Sequence, residues 1–209
     1  MLVKICGITR VDDALAAAAA GAGALGFIFW PGSPRFIDPF RARKIVRALP
    51  PFITAVGVFV NQPLEYVNAV ARLTRVGAVQ LHGDETPAYA SAVTTPVIKA
   101  IAMDAASHAQ IDTWPPATML LLDVHDPVRR GGTGRTIDWT TAAAVAARRR
   151  VLLAGGLTPD NVAEAIARVR PFGVDVSSGV EQAPGIKDHR RVRALFEAIH
   201  DIRPITARS

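Results

Sequence analysis

The chain has 209 residues, half of them hydrophobic, with 24 basic and 18 acidic side chains giving a net charge of +6 and a pI near 10.2. That length supports one sizeable core, so residues 1–209 are read as a single domain. One cysteine excludes an internal disulfide, the arginines are scattered rather than gathered into a nucleic-acid stripe, and no charged and apolar leader precedes the first strand, which together point to a cytoplasmic protein with a modest attraction for a small anion.

The first apolar run is VKIC at 3–6, followed by Gly7 and the helix-like DDALAAAA. The uncharged stretch from Ala14 to Pro31 approaches membrane-spanning length, but it is mostly alanine and glycine and splits into a helical and a strand-like half, so no span is expected. Within it GAGALG at 21–26 matches a dinucleotide fingerprint letter for letter. It follows a helix and precedes a strand, the reverse of the order that places a pyrophosphate on a helix N-terminus, and reads as a helix-to-strand turn.

Further runs follow at 24–29, 53–60, 77–81, 96–101, 118–124, 150–155 and 172–177, making eight candidate strands. Helical segments lie between them. Asp38 before Pro39, Asn61 and Gln62 before Pro63, and Thr158 before Pro159 are start signals, with proline in the first turn. Arg148, Arg149 and Arg150 read as the solvated end of a helix, and the residues after Ile202 as a loose tail. Strict alternation of strand and helix predicts an α/β chain with a parallel sheet. Eight units of roughly 25 residues favour a closed (β/α)8 TIM barrel, with an open doubly wound sheet as the alternative.

In such a barrel chemistry gathers at the carboxyl ends of the strands. Cys6 ends the first strand, where it is either a small core residue or a reactive thiol. Asp123 ends the sixth, where a partly shielded carboxyl group is suited to be a general acid with a raised pKa, or else caps the next loop. Gly155 and Gly156 after the seventh strand, with Ser177, Ser178 and Gly179 after the eighth, are either turn residues or a backbone cradle for a phosphate. Arg35, in a loop rich in proline and glycine, has the fork that grips a carboxylate, although taken by itself it reads as a surface residue. GGTGR at 131–135 is glycine-rich enough for a lid. His82 and Asp84 lack further ligands at recognisable spacing, so no metal is expected.

KICGIT, GFIFWPGSPRFI, VGVFVNQ, VQLHGDE, LLDV with GGTGRTIDW, LAGGLTPDNV and GVDVSSGVE, in that order from Val3 to about Ile199, resemble the phosphoribosylanthranilate isomerases of tryptophan biosynthesis. The resemblance implies a cofactor-independent aldose-ketose isomerase carrying out the Amadori rearrangement of N-(5-phosphoribosyl)anthranilate to 1-(2-carboxyphenylamino)-1-deoxyribulose 5-phosphate. It implies Cys6 as general base and Asp123 as general acid; independently of the resemblance, a cysteine at a strand end near the positive side of a barrel mouth can have a lowered pKa. Arg35 would hold the anthranilate carboxylate, and backbone groups around Gly155, Gly156, Ser177, Ser178 and Gly179 the phosphate. Arg135 stands where the family often has lysine, which leaves the lid charge intact. The partner is a phosphorylated small molecule, and the assembly a monomer or a homodimer. The alternatives are another phosphosugar barrel enzyme, an epimerase or a histidine-pathway ProFAR-type isomerase, and a barrel that binds phosphosugars without turnover. The ProFAR type carries aspartates at both catalytic strand ends, so Cys6 opposite Asp123 argues against it, and loss of Cys6 or Asp123 would have favoured the barrel without turnover.

Overall fold

The computed structural model describes residues 1–103, 107–123 and 139–202. In chain order the elements are β1 (Leu2–Ile5), α1 (Val11–Ala20), β2 (Ala24–Ile28), α2 (Pro39–Ala48), β3 (Thr54–Phe59), α3 (Leu64–Thr74), β4 (Ala78–Leu81), α4 (Pro87–Ser91), β5 (Val97–Ala102), β6 (Met119–Asp123), α5 (Trp139–Ala146), β7 (Val151–Ala154), α6 (Val162–Val169), β8 (Gly173–Val176), the small strands β9 (Glu181–Ala183) and β10 (Ile186–Lys187), and α7 (His189–His200). Strands β1 to β8 form a closed parallel barrel in sequence order, sealed where β1 pairs with β8 with Lys4 opposite Asp175. The eight strands expected from the sequence are all present, each within a residue or two of its apolar run.

Alternation along each strand sorts the side chains into two layers. One set, including Ile5, Leu25, Phe27, Leu81, Leu120, Leu122, Leu153 and Val174, packs outward against Ala17, Ile45, Val67, Val145, Ile166 and Leu195 of the helices and makes the main core. Fully burying each of the larger side chains contributes about 1.5–3 kcal/mol, offset by the entropy of ordering the chain. The inward set forms two small apolar clusters, one around Leu121 and Leu152, the other around Ala24, Val56 and Ala78. Charged Lys4 and polar Gln80 are buried as well, so the barrel interior is not uniformly apolar.

Three local expectations are corrected. The fifth strand is followed by a 3-10 segment, Ser107–Thr113, in place of an α-helix. Pro115 and Pro116 stop it, and Asp112 and Thr113 favour turns over helix interiors. Asp38 does cap α2, accepting from the N–H groups of Phe40 and Arg41, but α3 and α6 begin without side-chain caps. There Asn61 and Thr158 are used within the loops: Asn61 Nδ2 donates to Asp84, and Thr158 Oγ1 accepts from Asp160 N–H. Arg149 is not a solvated helix end. It donates to the carbonyls of Ile111, Trp114, Pro115 and Thr118, tying down the segment between β5 and β6.

GAGALG is a helix-to-strand turn, with Gly21 at φ 112° closing α1. Among the described residues no helix is long and apolar enough to cross a membrane. The lid sequence 131–135 and the tail after 202 lie outside the described residues.

Candidate active site

The carboxyl ends of the strands surround a cavity of about 200 Å³. Cys6 of β1's end, Arg35 from the loop after β2, Gln80 of β4 and His82 just after it, Asp123 of β6, Gly155 and Gly156 after β7, and Asp175, Ser177 and Ser178 at the end of β8 all line it. The structure therefore brings together seven of the eight residues singled out in the sequence. Gly179 is outside the lining; its Cα packs so tightly on the Leu157 carbonyl that a side chain would collide, and it holds the loop after β8 against the loop after β7.

Cys6 is 6% exposed. Gly7 beside it has φ +78°, and a Cβ there would lie 2.7 Å from Cδ of Arg35, so the glycine lets the arginine stem run across the end of β1. Ser177 Oγ donates to the Cys6 carbonyl at 3.2 Å and stitches β8 to β1 at the rim. Burial pushes the Cys6 thiol up, and Lys4 and then Lys187 oppose that rise while the Asp175 carboxylate adds to it. The expected lowering by a positive barrel mouth is thus overturned by desolvation, which penalises a thiolate more than the cations repay.

Arg35 directs Nε and Nη2 at Glu181, with Nη2 2.7 Å from Oε2. Glu181 also takes a hydrogen bond from Lys187 Nζ at 2.8 Å and from Gly185 N–H at 3.2 Å. Burial alone would raise the Glu181 carboxyl, but the Arg35 and Lys187 hydrogen bonds outweigh it and hold the group below the usual range. Lys187 completes the frame by donating to the Ser177 carbonyl. Among the described residues Arg35 Nη1 has no hydrogen bond, so the fork keeps donor capacity for a second anion.

On the other wall His82 Nε2 lies 3.5 Å from Asp123 Oδ2, and Gln80 Nε2 lies 2.9 Å from His82 Nδ1. An amide donating to Nδ1 makes Nε2 the protonated nitrogen, which then faces the carboxyl group. At the loop after β7, Gly155 and Gly156 have φ 93° and 61°. Those positive values are ones that a residue with a side chain adopts only with strain, and both residues line the cavity. Asn161 braces the loop, donating from Nδ2 to the Gly156 carbonyl and accepting from Thr158 N–H.

Lys4, Gln80, Asp175, Glu181 and Lys187 were not singled out in the sequence as parts of the site. For Lys4 and Asp175 a signal existed: each is a charge inside an apolar strand, two residues before a site residue and hence on the same face.

The model of the family described as N-(5'phosphoribosyl)anthranilate (PRA) isomerase matches residues 3–198. An N-(5'-phosphoribosyl)anthranilate isomerase of Pelobacter propionicus is 48% identical over 206 residues, covering 99% of each chain. The crystal structure of the phosphoribosyl anthranilate isomerase from Thermus thermophilus superposes with a TM-score of 0.85 at 46% identity, covering 97% of this chain and 100% of that one. A phosphoribosyl anthranilate isomerase solved in complex with reduced 1-(o-carboxyphenylamino)-1-deoxyribulose 5-phosphate superposes with a TM-score of 0.83 at 39% identity, covering 96% and 98%.

Proposed function

The chain belongs to the N-(5'-phosphoribosyl)anthranilate isomerases and catalyses their Amadori rearrangement in tryptophan biosynthesis, and from that premise we propose how its cavity divides the work. Asp123 delivers a proton to the ribose ring oxygen as the anilino nitrogen pushes the ring open to an iminium ion. The thiolate of Cys6 then removes the proton from the neighbouring carbon, and the resulting enolamine tautomerises to the aminoketose. At the enolamine Asp123 is a carboxylate and Cys6 a thiol. The tautomerisation resets both, because the enolamine carbon takes up one proton, returned from Cys6, and its hydroxyl gives up one, returned to Asp123, so substrate and product are isomers. The observation that carries this reading is the meeting of Cys6 and Asp123, from β1 and β6, on different walls of one cavity.

The remaining groups hold the substrate. Arg35 takes the anthranilate carboxylate, and Glu181 orients its guanidinium. Backbone N–H groups at Gly155, Gly156, Ser177 and Ser178 take the phosphate, with Gly179 fixing the loop that presents them. His82 points its ring nitrogen at Asp123 and steadies the acid between turnovers. The closure of β1 on β8 supports reading the chain as one domain.

The test is the decay of anthranilate fluorescence when enzyme is added to freshly made substrate. Cys6→Ser and Asp123→Asn are each expected to lose about 10²–10⁴ in kcat with KM near that of the parent. Near-parental turnover by either folded variant removes that residue from the mechanism.

A further inference from the structure

Among the buried ions that the mechanism above leaves unused, Lys4 is the one beside the base. Lys4 is 0% exposed, and its Nζ donates to Asp175 Oδ1 at 2.9 Å across the seam of the barrel. Two residues further along β1, on the same inner face, is Cys6. The ammonium donates to Asp175 and is a neighbour of the Cys6 sulfur, both atoms crowding the same point beside Gly26. Gly26 on the neighbouring strand makes room for both: a Cβ there would stand 2.6 Å from Sγ and 3.1 Å from Nζ.

A buried ion pair is a poor way to gain stability, because well-packed apolar side chains of similar volume do as well or better. What Lys4 and Asp175 provide instead is a fixed charge at a fixed place. Burial alone would drive a proton off Lys4, but Asp175 and Cys6 more than offset it, so the group stays charged through neutral pH. The charges facing the sulfur are Lys4 from β1, Asp175 from β8 and Lys187 from β10, the last shared with Glu181.

We propose that Lys4 is a positioning residue for the isomerisation: its ammonium, anchored by Asp175, is the fixed positive charge that favours the thiolate of Cys6 when that sulfur ionises to face the carbon to be deprotonated, and so offsets part of the cost of burial. Lys4 keeps its proton throughout and does not touch the substrate. With thiol, carboxylate and ammonium the inner group is neutral; with thiolate it carries one negative charge, and without Lys4 it would carry two. Nature of the device apart, it rests on Cys6 being the base.

Cys6 is the only cysteine in the chain, so its titration is read directly from the rate of alkylation by iodoacetamide against pH. Lys4→Met is expected to lower that rate at pH 7.5 by about tenfold or more. It is also expected to lower kcat with KM little changed and to move the kcat profile toward alkaline pH. Asp175→Asn, which removes a negative charge from beside the sulfur and leaves the ammonium, is expected to act in the opposite direction and speed alkylation. Should Lys4→Met fail to fold, the double variant K4M/D175N removes both charges together and is read against D175N, with slower alkylation expected. A folded Lys4→Met with the parental alkylation profile overturns the proposal. So do single variants that both shift the profile the same way, or a double variant that matches D175N. Retained turnover in Cys6→Ser would instead sink the assignment of the base, while the alkylation series still measured the coupling of Lys4 to the sulfur.

Discussion

Replacing Glu181 by Gln strands a charge in the interior, and the size of the penalty can be worked from what remains. The side chains of Glu181 and Lys187 are 4% and 0% exposed, whereas that of Arg35 is 22% exposed and can turn toward water. Breaking a buried pair on one side costs about 3–5 kcal/mol. An upper bound follows from proton loss: Lys187 starts from an ordinary value of 10.5, so shedding its proton at pH 7 costs about 5 kcal/mol and at pH 9 about 2. The Lys187 amine is already pushed below its ordinary value by burial, with Glu181 opposing that fall, and losing Glu181 deepens it. Between the folded and unfolded values the unfolded chain then binds more protons, so the stability of the variant rises with pH relative to the parent. Thermal unfolding at pH 7 and pH 9 is the assay, with a drop of roughly 8–16 °C expected at pH 7 and clearly less at pH 9. Adding Lys187→Met to Glu181→Gln should recover much of the loss. A penalty that ignores pH, or a double variant no better than the single, would falsify the account of Lys187 as the stranded charge.

Two further outcomes are expected. Arg35→Ala should raise KM about tenfold to a hundredfold, as loss of a charge-assisted carboxylate contact does, with a smaller effect on kcat; an unchanged KM in steady-state assays counts against the carboxylate role. Because burial raises the Cys6 thiol above its ordinary value of 9.0, the thiolate is the minor form at neutral pH, and kcat/KM should climb toward alkaline pH. A flat profile across pH 6.5–9 argues that proton abstraction by Cys6 does not limit the rate.

The barrel was legible because its eight strands are short, apolar and regularly spaced, a pattern with few other solutions. The residues at strand ends were legible too, since topology alone decides that Cys6, Asp123, Gly155 and Ser177 face one mouth. What stayed hidden sits on the inner face, or depends on partners far away in sequence. Lys4 and Asp175 each look like a lone charge within an apolar run, and only the register of β1 on β8 shows that they meet. Glu181 and Lys187 lie on strands of three and two residues, too short for alternation to reveal, yet they frame Arg35. The electrostatic state of Cys6 was not legible for a related reason: sequence displays the nearby cations but not the burial that outweighs them. Asn61 and Thr158 had the chemistry of helix caps, and the loops used them first.

The seam between β1 and β8 also sets an order of events during synthesis. Lys4 and Asp175 are 171 residues apart, so at roughly 5–20 residues per second the carboxylate leaves the ribosome about 10–30 s after the lysine it will hold. Over that interval the inner face of the first strand has β2 on one side and no neighbour on the other. The sulfur that the finished barrel buries is then open to oxidants and to stray electrophiles. A chain interrupted before β8 would carry Cys6 without its carboxylate neighbour or the glycine-rich rim that completes the cavity. Sealing the barrel brings Asp175 and the loop after β8 to the thiol in one event, which makes a change in the alkylation rate of Cys6 a readout of the moment at which the nascent protein closes.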